Sequence, residues 1–147
     1  MKVGSILVVC VGNLCRSPTG QYLLADCLPN VSVSSAGLMA RKDKPACSVA
    51  TEVAAENGLD ISTHATRRLT PELVMQSDLI LAMEAAHVRD IHTLVPYAQG
   101  KVLLFGKWGG ETEIPDPYRR SKSIYDAVFA QLKSHARHWA DKLDDSK

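Results

Sequence analysis

Cys10 and Arg16 are the residues whose types and spacing point most directly to chemistry. The cysteine ends an apolar run, and the arginine stands six positions later, just before Ser17 and Pro18, a pair typical of a helix N-terminus. Backbone N–H groups of a loop that runs into a helix converge on one point, where the helix dipole favours an anion. We therefore predict a phosphate-binding loop made of Val11, Gly12, Asn13, Leu14, Cys15 and Ser17.

The same surroundings would make Cys10 a nucleophile. A helix N-terminus and a nearby cation favour the thiolate form of cysteine, so we expect Cys10 to attack a bound phosphorus atom. Arg16 can donate two parallel hydrogen bonds to the phosphoryl oxygens, which lysine cannot. Ser17 is predicted both to cap the helix and to donate its hydroxyl to the Cys10 sulfur. Gly12 and Asn13 suit the tight backbone of such a loop.

Asp116 is the candidate general acid. It lies between Pro115 and Pro117, which restrict the backbone and could hold the carboxyl group over the loop. A departing tyrosine phenolate has a conjugate acid of pKa about 10, so proton donation assists its release. Once ionised, the same carboxylate could activate water against a phosphocysteine.

The remaining cysteines leave alternatives open. Cys15 could trap an oxidised Cys10 as a reversible disulfide, or it could be a thiol that only packs the loop. Cys27 and Cys47 are expected on helix packing faces. All four thiols are predicted to be reduced, and no zinc-ligand spacing accompanies them, so we predict no metal and no cofactor. The five histidines, at positions 64, 87, 92, 135 and 138, are expected at the surface or at helix ends.

The elements that must position these residues follow from apolar periodicity and turn residues. Strands are predicted at Lys2–Val9, around Val31 and Val33, at Leu79–Ala82 and at Val102–Phe105. Helices are predicted to begin at Ser17, to span Pro45–Asn57, to begin at Thr70, to span Glu84–Leu94 and to follow a capping box of Ser123 and Asp126.

This alternation predicts an α/β fold, a single three-layer domain over residues 1–147 in which helices cover both faces of a parallel sheet. Ligands bind such sheets outside the carboxyl ends of the strands, where the Cys10 loop is expected. The net charge is only +1, from 17 Lys and Arg against 16 Asp and Glu, so nucleic acid is not an expected partner. No apolar run is long enough to span a bilayer and no signal peptide is evident, so we expect a cytoplasmic protein without membrane insertion.

Three segments carry a resemblance to a known family. The C-x5-R-S loop followed by Pro-Thr, the Ser-Ala-Gly at 35–37, and Asp116-Pro117-Tyr118 resemble the low-molecular-weight protein tyrosine phosphatases, nearly end to end. The amino-acid sequences of the first and last segments most resemble those of the bacterial branch that acts with capsule and exopolysaccharide tyrosine kinases. The resemblance implies a flavodoxin-like fold with four parallel strands, no metal, and phosphotyrosine proteins as substrates, among them a tyrosine autokinase of polysaccharide export.

The resemblance also implies roles for individual residues. Cys10 would be the nucleophile, Arg16 the transition-state clamp and Asp116 the acid and then the base. The network that shapes the loop would consist of Asn13, Ser17 and Ser35, and the cleft walls would be Leu38 and Tyr118. Where many members carry a second aromatic residue after Tyr118, this chain has arginine. We therefore hypothesise that acidic phosphopeptides are favoured by Arg41, Lys42, Arg119 and Arg120.

Two other functions deserve comparison. An arsenate reductase of the same fold would need further distal cysteines to relay electrons, and none follows Cys47. A non-catalytic phosphotyrosine-binding module would be expected to lack the nucleophile or the acid, and both are present. Hydrolysis of phosphotyrosine is therefore the preferred prediction.

Overall fold

Four parallel strands form one sheet, as the sequence predicted. The computed structural model describes residues 2–144. Within this range the strands are β1 (Ser5–Cys10), β2 (Ser32–Gly37), β3 (Leu79–Ala82) and β4 (Val102–Leu104). Their order is β2-β1-β3-β4, so β1 lies inside the sheet between β2 and β3. The chain leaves β1 towards β2 and later returns on its other side to β3, and this reversal creates a crevice at the carboxyl end of β1.

Five α-helices cover the sheet in the part of the chain that the structure describes. They are α1 (Arg16–Cys27), α2 (Ser48–Glu56), α3 (Pro71–Gln76), α4 (Ala85–Leu94) and α5 (Lys122–Leu143), with short 3-10 helices at Pro96–Lys101 and Lys107–Gly109. Helices α1, α2 and α5 pack on one face, and α3 and α4 pack on the other. No helix within residues 2–144 is both long and apolar enough to cross a membrane.

Successive residues of β1 supply two separate cores, because side chains alternate between the faces of a strand. One core contains residues such as Ile6, Val8, Leu24, Val53, Phe129 and Leu132. The other contains residues such as Leu7, Val9, Val74, Ile80, Ile91 and Val102. Burial on both faces explains why β1 is a continuous apolar run, and the two cores fix the strand whose last residue is Cys10.

Some helix starts differ from those predicted. Thr70 does cap α3, since its side chain accepts a hydrogen bond from the N–H of Leu73. Helix α2, however, begins at Ser48 rather than near Pro45, because the N–H of Cys47 is bonded to the carbonyl of Leu14 in the Cys10 loop.

The predicted capping roles of two serines were wrong. Ser121, not Ser123, is the N-cap of α5, so the expected capping box does not form. Helix α1 begins at Arg16 after Cys15, which places Ser17 inside the first turn instead of at the cap. The hydroxyl of Ser17 is therefore available to the loop.

Candidate active site

Cys10 lies at the bottom of a cavity of about 510 Å³, a volume suited to a small ligand group. It is the last residue of β1 and is buried, with 3% of its surface exposed. Its Sγ is 2.9 Å from the Oγ of Ser17. The cavity is lined by Cys10, Val11, Gly12, Leu14, Cys15, Arg16, Arg41, Lys44, Asp116, Tyr118 and Arg119.

Asn13 holds the loop in shape from behind. It is fully buried and has a positive φ of 57°, a conformation that asparagine tolerates better than most residues. Its Nδ2 donates to the Oγ atoms of Ser17, at 2.7 Å, and Ser35, at 3.0 Å. Its Oδ1 accepts the backbone N–H of Arg67. Because Ser17 accepts this bond from Asn13, its own proton is free to point at the Cys10 sulfur.

Gly37 explains why the Ser-Ala-Gly segment ends in glycine. A Cβ at this position would lie 2.5 Å from the carbonyl oxygen of Val11 and 2.8 Å from the backbone nitrogen of Asn13. The end of β2 and the Cys10 loop are thus in direct backbone contact, which only glycine permits. The glycine of the Ser-Ala-Gly segment is therefore required by the close approach of the loop that follows β1.

Arg16 is buried, and part of its guanidinium is already occupied. Its Nη1 donates to Glu84 Oε2 at 2.6 Å and to the carbonyl of Ile114 at 2.8 Å. Its Nη2 is 3.8 Å from Asp116 Oδ2. These contacts fix the plane of the guanidinium group at the cavity wall, where its other N–H groups can meet an anion.

Asp116 stands at the mouth of the cavity, with 53% of its side chain exposed. Its Oδ1 accepts the backbone N–H of Tyr118 at 3.0 Å, so the carboxylate stabilises the turn that carries it. Arg119 has a positive φ of 62° and its guanidinium lies 5.4 Å from the centre of the Tyr118 ring. The ring therefore has a cation beside it in place of a second aromatic residue.

Leu38 is placed differently from the other predicted cleft residues. It packs against the core that contains Val9 and does not line the cavity. Arg41 and Lys44, from the following loop, line it instead. The reason is local: the bond from the N–H of Leu38 to the carbonyl of Cys10 continues the pairing of β2 with β1, and Leu38 stands two residues after Ala36, which belongs to the same core.

The Cys15 thiol faces another cysteine. Its Sγ is 2.9 Å from the Sγ of Cys47, and the hydroxyl of Tyr125 lies 3.5 Å from the Cys47 sulfur. The hydrogen bond from Cys15 lowers the pKa of Cys47 to about 6, whereas the same contact and burial raise the pKa of Cys15. Cys27, expected on a packing face, is exposed at the end of α1.

Comparison with known proteins identifies the family of this chain. A family model described as "Low molecular weight phosphotyrosine protein phosphatase" matches residues 5–147. The chain belongs to this family. It is 45% identical over 143 residues to the low molecular weight protein-tyrosine-phosphatase Etp of Escherichia coli K12, covering 97% of each chain. It is 46% identical over 140 residues to Wzb of the same strain, covering 95% of each.

Solved structures agree with this assignment and confirm the fold predicted from the sequence. The phosphatase aligns with the structure of Vibrio vulnificus Wzb in complex with benzylphosphonate at a TM-score of 0.94 and 46% identity. The alignment covers 96% of this chain and 99% of the Vibrio chain. The resemblance first carried by three short segments therefore extends over the whole architecture.

The phosphatase also uses residues that the sequence did not single out. Glu84, the N-cap of α4, orients Arg16, and the only sequence signal was an acidic residue two positions after a buried strand. His64 was expected at the surface but is buried. Its Nε2 lies 2.8 Å from the carbonyl of Asn13, so this nitrogen carries the proton and donates it. Burial lowers the pKa of His64, which favours the neutral ring.

Two other histidines, His87 and His135, are buried as well, contrary to expectation. Among residues 2–144 no group of three or more His, Cys, Asp or Glu side chains is arranged to hold a metal ion. The side chains that line the site can supply nucleophilic attack, anion binding and proton transfer.

Proposed function

We propose that this phosphatase hydrolyses phosphotyrosine in two steps through a phosphocysteine on Cys10. The observation that carries the proposal is the Cys10 sulfur at the base of a cavity, 2.9 Å from the Ser17 hydroxyl, with Arg16 and Asp116 on the wall above it. Nucleophile, anion clamp and proton donor thus share one small space, as phosphoryl transfer through a covalent intermediate requires.

In the first step the phosphate binds to the N–H groups of the loop and to the free N–H groups of Arg16. The Cys10 thiolate attacks phosphorus, the bond from phosphorus to the tyrosine oxygen breaks, and protonated Asp116 gives its proton to the departing phenolate. Glu84 and the Ile114 carbonyl keep the guanidinium in position as charge develops on the phosphoryl oxygens.

In the second step Asp116, now ionised, removes a proton from water as the water attacks phosphorus. The bond from sulfur to phosphorus breaks, and the electron pair returns to Cys10 as a thiolate. The Ser17 hydroxyl donates to this sulfur and stabilises it as a leaving group. Asn13 supports the step because its Nδ2 donates a hydrogen bond to the Ser17 oxygen, which orients the serine hydroxyl towards the sulfur.

We infer that the substrate is a bacterial tyrosine autokinase that controls capsule or exopolysaccharide production. The support is the high identity to Wzb and Etp over nearly the full chain. A thiolate nucleophile must stay reduced, so a cytoplasmic location is part of the proposal.

The test is hydrolysis of para-nitrophenyl phosphate in EDTA between pH 5 and pH 8. The wild type should turn over, Cys10→Ser should be inactive, and Asp116→Asn should be slowed by about 100- to 10,000-fold, the usual effect of losing a general acid. Retained activity in Cys10→Ser would contradict the covalent mechanism. Loss of wild-type activity in EDTA would contradict the absence of a metal from the reaction.

A further inference from the structure

Cations predominate around the cavity of the proposed reaction. Of the charged residues that line it, Arg16, Arg41, Lys44 and Arg119 are positive and only Asp116 is negative. Arg16 is paired with Glu84, whereas Arg41 and Lys44 are exposed and have no ion-pair partner among residues 2–144. The loop N–H groups and Arg16 suffice to bind one phosphate, which leaves Arg41 and Lys44 without a partner in the proposed reaction.

A second recess adjoins the cavity on the side of Arg41 and Lys44. It has a volume of about 150 Å³ and is lined by Gly12, Leu14, Met39, Arg41, Lys44 and Thr66. Four of these residues, Gly12, Leu14, Arg41 and Lys44, also line the cavity above Cys10. This volume is large enough for a carboxylate or phosphate group. A peptide whose phosphotyrosine occupies the cavity can therefore place a neighbouring side chain in the recess.

Thr66 fixes the backbone of the turn that carries Arg41 and Lys44. Thr66 is buried, with 1% exposed, and its hydroxyl donates to the carbonyl of Arg41 and accepts the N–H of Lys44 at 2.8 Å. Its backbone N–H is bonded to the carbonyl of Lys44, and its carbonyl accepts the N–H of Asp43. Asp43 itself has a positive φ of 57°. This single buried threonine thus fixes an exposed turn whose backbone would otherwise have few constraints.

We propose that Arg41 and Lys44, positioned by Thr66, form a second anion subsite that selects phosphotyrosine peptides with another acidic group near the phosphotyrosine. The inference rests on the proposed function, since it concerns the substrate of the same site. The occupant is a carboxylate side chain or the phosphate of a second phosphotyrosine, which offer the same negative charge to the two cations.

The experiment measures kcat/KM on three phosphotyrosine peptides that share one sequence. One carries glutamates beside the phosphotyrosine, one carries glutamines there, and one carries a second phosphotyrosine. The readout is the ratio of kcat/KM on each acidic peptide to kcat/KM on the glutamine peptide. In Arg41→Gln/Lys44→Gln this ratio should fall about fivefold, the size expected for two exposed ion pairs, and the change should lie mainly in KM. Lys42→Gln separates a subsite from the general charge of the turn. The sequence hypothesis grouped Lys42 with Arg41, but Lys42 lines neither space, so this variant should keep the wild-type ratio, and an equal fall in Lys42→Gln would contradict the subsite.

The role of Thr66 is tested by two variants of similar size. Thr66→Val removes the hydroxyl and should lower the ratio. Thr66→Ser keeps the hydroxyl and should have the wild-type ratio. A merely structural role would weaken all three peptides equally and leave the ratio unchanged. If Thr66→Val does not fold, the single variants Arg41→Glu and Lys44→Glu, both at exposed positions, should still lower the ratio below that of the wild type.

Each result separates the inference from the proposed function. A ratio that is the same in wild type and Arg41→Gln/Lys44→Gln, while the peptides are still hydrolysed, overturns the subsite alone. Failure of the wild type to hydrolyse any of the peptides overturns the proposed function. A ratio lowered only for the doubly phosphorylated peptide identifies a second phosphotyrosine as the occupant, and a ratio lowered for the glutamate peptide identifies a carboxylate.

Discussion

At the residue scale, the site depends on pairs of side chains rather than on isolated catalytic groups. Arg16 faces the cavity because Glu84 and the Ile114 carbonyl hold one of its nitrogens. Cys10 has Ser17 beside it because Asn13 fixes the serine oxygen. The contribution of each pair can be measured by removing the partner and keeping the proposed catalytic residue.

Glu84→Ala should reduce kcat on para-nitrophenyl phosphate by about 10- to 100-fold, because the guanidinium group of Arg16 loses its orientation. Glu84→Gln should retain most of the rate, since its amide oxygen can still accept the hydrogen bond from Arg16 Nη1. Steady-state kinetics of the two variants checks the prediction. A wild-type kcat in Glu84→Ala would show that the Ile114 carbonyl alone is sufficient.

Cys15 should be oxidised together with Cys47 rather than with Cys10. The sulfurs of Cys15 and Cys47 are 2.9 Å apart, and the N–H of Cys47 is bonded to the carbonyl of Leu14, so the two backbones are already adjacent. Hydrogen peroxide would take one hydrogen from each thiol and leave two waters and a disulfide.

Mass spectrometry after mild peroxide and alkylation distinguishes the two cysteine pairings. Trypsin places Cys10 and Cys15 in one peptide, 3–16, and Cys47 in another, 43–67. A pair of Cys15 with Cys47 therefore links two peptides, whereas a pair of Cys10 with Cys15 closes a ring within one. The linked peptides should dominate in the wild type and disappear in Cys47→Ser. An internal ring in the wild type would support the alternative interpretation of Cys15.

At the element scale, the end of β2 supports the loop that follows β1. The two strands are paired from Ser5 with Ser32 through Cys10 with Gly37, so each residue of one end has a fixed neighbour in the other. The contact of Gly37 with the backbone of Val11 and Asn13 makes the position of the Cys10 loop depend on the position of the strand. A change at the strand end should therefore alter catalysis without touching any reacting group.

Gly37→Ala should lower the free energy of unfolding by about 1–3 kcal/mol, because the new methyl group overlaps backbone atoms that cannot move independently. The displaced loop should also lose about 100-fold in kcat/KM on para-nitrophenyl phosphate. Urea unfolding and steady-state kinetics measure the two effects. Gly100→Ala is the control, since nothing lies within 4 Å of a Cβ there. Equal behaviour of the two variants would argue against the contact.

At the scale of the whole molecule, buried neutral histidines should make stability depend on pH. Burial lowers the pKa of His64, His87 and His135, with Arg16 adding to the effect at His87 and His138 at His135. A histidine with a lowered pKa in the folded state binds more protons when unfolded, so its stabilising effect is complete above about pH 6.5 and is lost as the pH falls.

The free energy of unfolding should therefore decrease between pH 7.5 and pH 5.5, with a slope of up to about 1.4 kcal/mol per pH unit for each proton taken up on unfolding. Urea titrations across this range give the slope. His64→Gln should reduce it, because glutamine does not titrate and its amide can still donate to the Asn13 carbonyl. A slope that is identical in the two proteins would mean that the pKa of His64 does not differ between the folded and unfolded states.

The secondary-structure elements and the main features of the Cys10 loop could be predicted from the sequence. Apolar periodicity gave the four strands and most helices, because burial on one or two faces leaves a repeating pattern in a single segment. The spacing of Cys10, Arg16 and Ser17 indicated an anion loop, because all three lie within one strand-to-helix turn. Asp116 was recognisable from its flanking prolines and from the family resemblance.

Which distant residues complete the site could be learned only from the three-dimensional structure. Glu84 meets Arg16 across 68 positions of the chain, and Thr66 meets Arg41 across 25. The Cys15 sulfur contacts that of Cys47. Leu38 packs against the core, and Arg41 and Lys44 line the cavity instead. These contacts depend on how strands cross and in which register they pair, and that outcome depends on packing both cores at once. No local pattern records it, since a residue held by a distant partner can have any neighbours in sequence.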